Sequence, residues 1–278
     1  MNSLKLITHW CPSNILAKNA KVKQFALIIL NQPIKHLEIF NRLWANASFR
    51  YCADGGSNQL YDTFKHDKHK LRLYVPDEIG GDLDSLRPDV REFYESMDVK
   101  ITKVAEQDST DFQKVISLLK EKEEQVGKVF DIVALPAIGG RFDQTMQNIN
   151  ILYTMLDEVE RRTILVSDDS LTILLDKGTH HIHCQPDYEG PTCGLIPIGA
   201  PATLTTRGGE CVIKIDPKYY NTVNHKCHFG GMVSTSNAIA QDLIEVETDS
   251  PLVWTIELKE TQKIGQDIDE NYVEDDDE

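Results

Sequence analysis

Aspartates cluster at four places between residues 54 and 144, three of them with glycines: Asp54-Gly55-Gly56, Gly80-Gly81-Asp82-Leu83-Asp84-Ser85, Asp108-Ser109-Thr110-Asp111 and Gly139-Gly140-Arg141-Phe142-Asp143-Gln144. A carboxylate is a hard oxygen donor, and Mg²⁺ takes one or two of them together with water and phosphate oxygens. Glycine lets a backbone N–H approach a phosphate closely, and a helix that starts at such a place attracts the anion. Two carboxylates brought to about 4 Å repel by about 4 kcal/mol at an effective dielectric near 20, so convergent acids call for a cation. Together these motifs would handle a Mg²⁺-nucleotide. Each also has a plainer reading alone: Asp54-Gly55-Gly56 and Asp82-x-Asp84 as turns, Thr110-Asp111 as a helix cap, Arg141 and Asp143 as a surface ion pair at a helix start.

The elements that would gather these residues are legible as periodicity. The apolar runs Phe25–Leu30, Phe49–Ala53, Leu71–Val75, Val99–Val104, Val129–Leu135, Thr163–Val166 and Leu171–Leu175 predict strands. Helical stripes fall between them, at Leu37/Phe40/Leu43/Trp44, Val90/Phe93/Tyr94/Met97 after Pro88, Phe112/Val115/Ile116/Leu119 and Met146/Ile149/Leu152/Tyr153/Leu156. Alternation of this kind predicts a mostly parallel, Rossmann-like α/β domain over residues 21–175. Each acidic cluster follows a predicted strand, and in such a sheet the carboxyl ends of the strands share one rim where ligands bind. After Leu175 glycine and proline become dense and short alternating runs follow one another, among them His180–Cys184, Leu195–Ile198, Ala202–Thr206, Cys211–Ile215, Leu243–Val246 and Leu252–Leu258. They predict a C-terminal antiparallel β-sandwich over 176–262. Residues 1–20 read as a ragged N-terminus and 263–278 as a disordered acidic tail.

Composition removes several function classes. The net charge is -15, and Ile264–Glu278 alone carries eight acids and no base, so nothing drives the chain toward nucleic acid by counterion release. No apolar run approaches the roughly 20 residues of a membrane span. Six cysteines without a CxxC pair, and no signal peptide, read as reduced thiols of a cytoplasmic protein. The stretch before Glu38 lacks acids but also lacks the arginines of a mitochondrial presequence. His180, His181 and His183 suggest a metal, yet strand alternation leaves only two of them on one face, and Lys65, Lys68 and Lys70 with His66 and His69 read as a solvated basic loop.

As an ordered set the acidic motifs, with Asn58 and Leu60 after Gly56, Pro88 after Ser85, and Ser234-Thr235-Ser236-Asn237, resemble eukaryotic thiamine pyrophosphokinases. The likeness extends to Leu30-Asn31-Gln32-Pro33, Gly194-Leu195-Ile196-Pro197 and Glu247-Thr248-Asp249-Ser250-Pro251-Leu252 with Trp254. It runs from about Phe25 to Leu258. The resemblance implies an α/β catalytic domain, a β-sandwich, a homodimer with active sites between subunits, and the reaction of ATP with thiamine to give AMP and thiamine diphosphate. It implies Asp82, Asp84 and Asp111 as Mg²⁺-binding acids with Asp54 and Asp143 close by. Gly55, Gly56, Asn58, Thr110, Arg141 and Gln144 would surround the nucleotide, and Ser234, Ser236 and Asn237 would help hold thiamine. Asp143 or Asp111 would accept the proton.

One departure stands out. Vertebrate members carry Gly-Leu-Lys-Trp where this chain has Gly208-Gly209-Glu210-Cys211, so an indole that would face the cationic thiazolium is missing. Trp254, in an apolar run, reads as core. Two other function classes remain compatible with the residues: a Mg²⁺-dependent phosphohydrolase or nucleotide-sugar transferase, and a non-catalytic thiamine or nucleotide sensor.

Overall fold

The chain enters the fold through a strand, β1 (Ile7–Trp10), and a 3₁₀ helix, Pro12–Leu16. There follow β2 (Phe25–Ile29), α1 (Leu37–Asn46), β3 (Phe49–Ala53), α2 (Gly56–Phe64), α3 (Lys68–Leu73), β4 (Glu78–Gly81), α4 (Pro88–Ser96) and β5 (Lys100–Lys103). Next come α5 (Asp111–Val126), β6 (Asp131–Leu135), α6 (Phe142–Thr154), β7 (Thr163–Val166) and β8 (Ser170–Leu175). The remaining strands are β9 (Gly178–His183), β10 (Glu189–Ile196), β11 (Ala202–Arg207), β12 (His225–Cys227), β13 (Ser234–Ala238), β14 (Leu243–Thr248) and β15 (Leu252–Leu258). This computed structural model describes residues 7–18, 24–106, 108–207, 223–239 and 242–259.

A ten-stranded sheet runs β13-β10-β15-β8-β7-β6-β2-β3-β4-β5. Its six strands from β7 to β5 are parallel, whereas β7/β8, β8/β15, β15/β10 and β10/β13 pair antiparallel. All five residues of β2 are buried, as a strand covered on both faces requires. Phe25, Leu27 and Ile29 meet Phe40 and Leu43 of α1, Leu60 of α2 and Val90 of α4 in one cluster, while Ala26 and Ile28 face Val115 and Leu119 of α5 and Ile151 of α6 in the other. Full burial of side chains such as Phe40 and Leu43 contributes about 1.5–3 kcal/mol each. From β2 the chain proceeds to β3, β4 and β5 on one side and returns to β6 and β7 on the other, so the order reverses between β2 and β6. A ligand crevice forms at the carboxyl ends of strands at such a reversal.

The second sheet, β1-β9-β14-β11-β12, packs on the antiparallel end of the first. Ile182, Leu204, Ile244 and Val246 share a core there with Leu171, Leu195, Trp254 and Ile256, which makes the predicted sandwich and places Trp254 fully inside it.

Several expectations change. Residues 7–18 are not ragged: β1 pairs in parallel with β9, so this sheet is not wholly antiparallel, and Ile15 and Leu16 are buried. The boundary expected after residue 175 is crossed by pairing of β8 with β15. Leu71–Val75 is not a strand, because the Asp67 side chain accepts from the N–H groups of His69 and Lys70 and starts α3. The third parallel strand is instead β4, so Gly80 and Gly81 lie within it and not after it. The Cys211–Ile215 run, the Gly208–Cys211 departure and the tail 263–278 fall outside the described residues.

Candidate active site

Four of the five predicted acids meet at the carboxyl rim of the parallel sheet. Asp54 follows β3 with φ of +41° and is wholly buried. Its Oδ2 accepts from the Ser85 N–H at 3.0 Å, and its Oδ1 has no partner. That bond anchors the loop after β4, which Asn58 of α2 braces as well: its amide donates to the Ser85 carbonyl at 2.7 Å and accepts from the Arg87 N–H at 3.1 Å. Held in this way, Asp82 and Asp84 bring carboxylate oxygens to Asp54, all three within 4.8 Å of one another. Asp111, the first residue of α5, accepts from the Asp82 N–H at 3.4 Å. Only glycine fits at residue 81. Its φ is +152°, and a Cβ would stand 2.8 Å from the Asp54 Cβ and 3.0 Å from Asp111 Oδ1.

Among these acids lies a cation. Lys114, one turn into α5, is 3% exposed and donates to Asp82 Oδ2 at 2.7 Å and to Asp111 Oδ1 at 3.3 Å. The lysine holds the Asp82 carboxyl below its usual value. Burial works against the ammonium itself, but the two carboxylates outweigh it and its pKa rises. Burial, with the Asp111 charge acting the same way and the Ser85 N–H opposing, pushes the Asp54 carboxyl up to about 6.

A cavity of about 420 Å³ opens over this cluster at the β2/β6 reversal, lined by Gln32, Asp82, Ser85, Ser109, Thr110, Asp111, Lys114, Arg141, Gln144 and Asn148 among others. The first turns of α5 and α6 face it, so their backbone dipoles favour an anion there. A larger cavity, about 990 Å³, lies around Lys120, Glu123 and Arg161. There Arg161 forks onto the buried Glu123 at 2.6 and 2.8 Å, an ion pair satisfied by structure alone.

The other predicted residues have local structural partners. Asp143 is exposed, pairs with Arg141 at 2.5 Å and is not among the cavity-lining residues, which is the plainer surface reading of that motif. This pairing holds the Asp143 carboxyl below its usual value. Thr110 caps α5, and its N–H is taken by the Gln113 side chain in a capping box. Gly55 and Gly56 answer to packing: a Cβ at 56 would lie 2.2 Å from the Ile29 carbonyl oxygen, and one at 55 would lie 2.3 Å from Asn31 Nδ2. Ser234 and Asn237 are buried and hydrogen-bond to each other at 2.9 Å. They lie on β13, the edge strand at the far end of the sheet, where Thr235 and Ser236 line a separate cavity of about 370 Å³ with Thr192, Asp169 and Glu257.

The order of parts agrees with two family models, thiamin pyrophosphokinase, catalytic domain, over residues 40–166, and thiamin pyrophosphokinase, vitamin B1 binding domain, over 179–253. The chain belongs to the thiamine pyrophosphokinase family. Thiamine pyrophosphokinase 3 of Oryza sativa subsp. japonica is 41% identical over 246 residues, spanning 84% of this chain and 87% of the relative. Thiamine pyrophosphokinase 1 of Arabidopsis thaliana is 40% identical over 253 residues, 88% of this chain and 90% of the relative. Among solved structures, thiamin pyrophosphokinase from Candida albicans aligns with a TM-score of 0.76 at 30% identity, over 91% of this chain and 93% of that one. Membership of the thiamine pyrophosphokinase family makes the chain an enzyme of the family reaction, transfer of a pyrophosphoryl group from ATP to thiamine.

Of the cavity-lining residues, Lys114 and Asn148 were not among those singled out in the sequence, and Asn31 and Gln32 appeared there without a role. Lys114 carried a usable signal, because residues three apart on a helix share a face, and Asp111 had already been singled out. Asn31 and Gln32 carried only the likeness of the Leu30–Pro33 segment; they reach the site because β2 ends beside β6.

Proposed function

We propose that pyrophosphoryl transfer takes place at the carboxyl rim of the parallel sheet, with Asp54, Asp82 and Asp84 holding Mg²⁺ and Lys114, Arg141, Gln144 and the first turns of α5 and α6 facing the triphosphate. The observation that carries this reading is the convergence of three carboxylates, with oxygens within 4.8 Å of one another, beside the Asp111–Lys114 pair at the sheet's reversal point. The residues fit a hard divalent ion: the donors are all carboxylate oxygens, and the buried Asp54 Oδ1 has no protein partner. Asp111, first expected among the ligands, stands beside them and is held by Lys114. Such an ion, when bound, neutralises phosphate charge and polarises a phosphoryl oxygen.

The protein's own groups supply the rest. Lys114 keeps the acids together before substrate arrives and offers a buried positive charge to the phosphates. Arg141, 75% exposed in its side chain, is placed to exchange Asp143 for a phosphate oxygen. The thiamine hydroxyl then attacks the β-phosphorus of ATP, AMP leaves, and Asp111 on the cavity wall takes the proton in preference to the solvent-facing Asp143.

The thiamine site is proposed at β13 and its cavity, and this requires a homodimer. From β13 to β6 is five strand spacings, roughly 24 Å at about 4.8 Å each. One thiamine cannot reach both places in one chain, so β13 of a second copy would complete each site. The cytoplasm is the proposed compartment, in keeping with the free thiols of Cys11, Cys52 and Cys227; among the described residues no helix is long and apolar enough to cross a membrane.

The test is product analysis on purified protein with ATP, Mg²⁺ and thiamine. AMP and thiamine diphosphate should appear together and only when thiamine is present, and Asp82→Asn should lower turnover about a hundredfold or more. Release of inorganic phosphate or ADP instead, or a folded Asp82→Asn protein at near-normal rate, would refute the assignment.

A further inference from the structure

β1 changes the arithmetic of the histidines. Alternation along β9 turns His180 into the core and leaves His181 and His183 on the outer face. Because β1 pairs in parallel with β9 and sets His9 opposite His181, a third imidazole joins that face from a neighbouring strand. His9 Nδ1 stands 3.1 Å from His183 Nε2, and the His9 ring meets the His181 ring edge-on with centroids 5.1 Å apart. On the other side of His181, Glu245 of β14 accepts from its Nε2 at 3.2 Å.

We propose that His9, His183 and His181 form a second metal site, for a first-row transition ion such as Zn²⁺, on the outer face of the five-stranded sheet. Two nitrogens bound tetrahedrally to Zn²⁺ at about 2.0–2.1 Å stand about 3.3–3.4 Å apart, within a few tenths of an ångström of the His9–His183 separation. Two imidazole nitrogens at that distance can share only one proton, and a metal ion satisfies both lone pairs. Glu245 on His181 Nε2 leaves Nδ1 as that ring's donor, the carboxylate–histidine–metal relation that orients ligands in built sites. His181 must turn toward the pair to complete the set.

The strand that brings His9 is fixed independently of any ion. Trp10 Nε1 donates to His180 Nδ1 at 3.1 Å on the inner face, and Arg162 donates to the His9 carbonyl at 2.6 Å. Imidazole donors favour Zn²⁺, Ni²⁺ or Cu²⁺ over Mg²⁺. The site is therefore chemically distinct from the carboxylate cluster, and its ion would tie the N-terminal strand to the sandwich.

Titration of the full-length protein with Zn²⁺ in millimolar Mg²⁺, under reducing conditions, tests this against a His9→Ala/His183→Ala variant. The expected result is a high-affinity equivalent of Zn²⁺ in the parent that is at least tenfold weaker in the double variant, and weaker by a smaller factor in His181→Ala. Co²⁺ in place of Zn²⁺ should give a tetrahedral visible spectrum that the double variant loses. Both variants should keep Mg²⁺-dependent transferase activity, which also shows that they are folded. Identical Zn²⁺ titrations for parent and folded double variant, or a Co²⁺ spectrum unchanged by the substitutions, would overturn the proposal.

Discussion

Replacing Lys114 by methionine removes a charge while keeping an apolar stem of similar length in a site that is almost fully enclosed. The lysine ammonium sits 2.7 Å from Asp82 and 3.3 Å from Asp111. Loss of one partner from a fully buried ion pair costs about 3–5 kcal/mol. Here the acids are 42% and 35% exposed, so solvent screens part of the released repulsion and about 1–3 kcal/mol of stability should be lost. A divalent cation should restore much of that loss, since it meets the same carboxylates without competition from the lysine. Free Mg²⁺ should therefore bind the variant more tightly, by about tenfold for a change of about 1.4 kcal/mol, even as turnover falls about a hundredfold because the phosphates have lost a preorganised charge. Urea unfolding with and without Mg²⁺, calorimetric titration of Mg²⁺ and AMP production together read these effects. A folded Lys114→Met protein that binds Mg²⁺ no better than the parent, or turns over at the parent rate, would show that the lysine does not compete for the site.

Gly56→Ala should cost about 2–4 kcal/mol in urea unfolding, because the new Cβ would lie 2.2 Å from a backbone oxygen of β2 that cannot move cheaply. Gly127→Ala, at a helix end with φ of +67° and nothing within 4 Å, should cost only about 1 kcal/mol; equal losses would contradict the packing account. Burial pushes the Glu189 carboxyl up to about 7. The folded chain thus holds a proton that the unfolded chain releases near pH 4.3, and stability should fall by about 3 kcal/mol as pH rises from about 4 to 7. Glu189→Gln should flatten that part of the stability profile, and parallel curves for variant and parent would rule the explanation out. If each active site joins the acids of one chain to β13 of another, co-refolding inactive Asp82→Asn and Asn237→Ala proteins should restore about a quarter of parent activity, since half of the dimers are mixed and one of their two sites is intact. No recovery in dimers shown to be mixed would refute shared sites.

Local periodicity was enough to read the α/β alternation. The continuous apolar runs of β2, β6 and β8 suit strands of a sheet covered on both sides, and Pro88 and Thr110 mark helix starts by their own backbone and side-chain chemistry. The acids at strand ends were legible for the same reason, because strand direction in a parallel sheet puts them on one rim. Leu71–Val75 misled because its apolar residues suit a short helix as well as a strand, and the choice fell to the Asp67 cap.

Contact across strands was beyond the sequence. Residues 7–18 carry too little periodicity to announce β1, whose stability comes from β9, its pairing partner far along the chain. Ser234 and Asn237, three apart, would face opposite sides of a regular strand; they share a buried side because Ser236 adopts φ of +58° and shifts the register against β10. That Asp54 joins Asp82 and Asp84 was likewise settled by tertiary contacts, the Ser85 and Asn58 hydrogen bonds, whereas Asp143 turns to solvent through a local ion pair with Arg141, two residues before it. Residue types and their spacing determined which chemistry the chain can perform. Which side chains perform it depended on distances between elements remote in sequence, because hydrogen bonds and charge pairs act over a few ångströms of space whatever the separation along the chain.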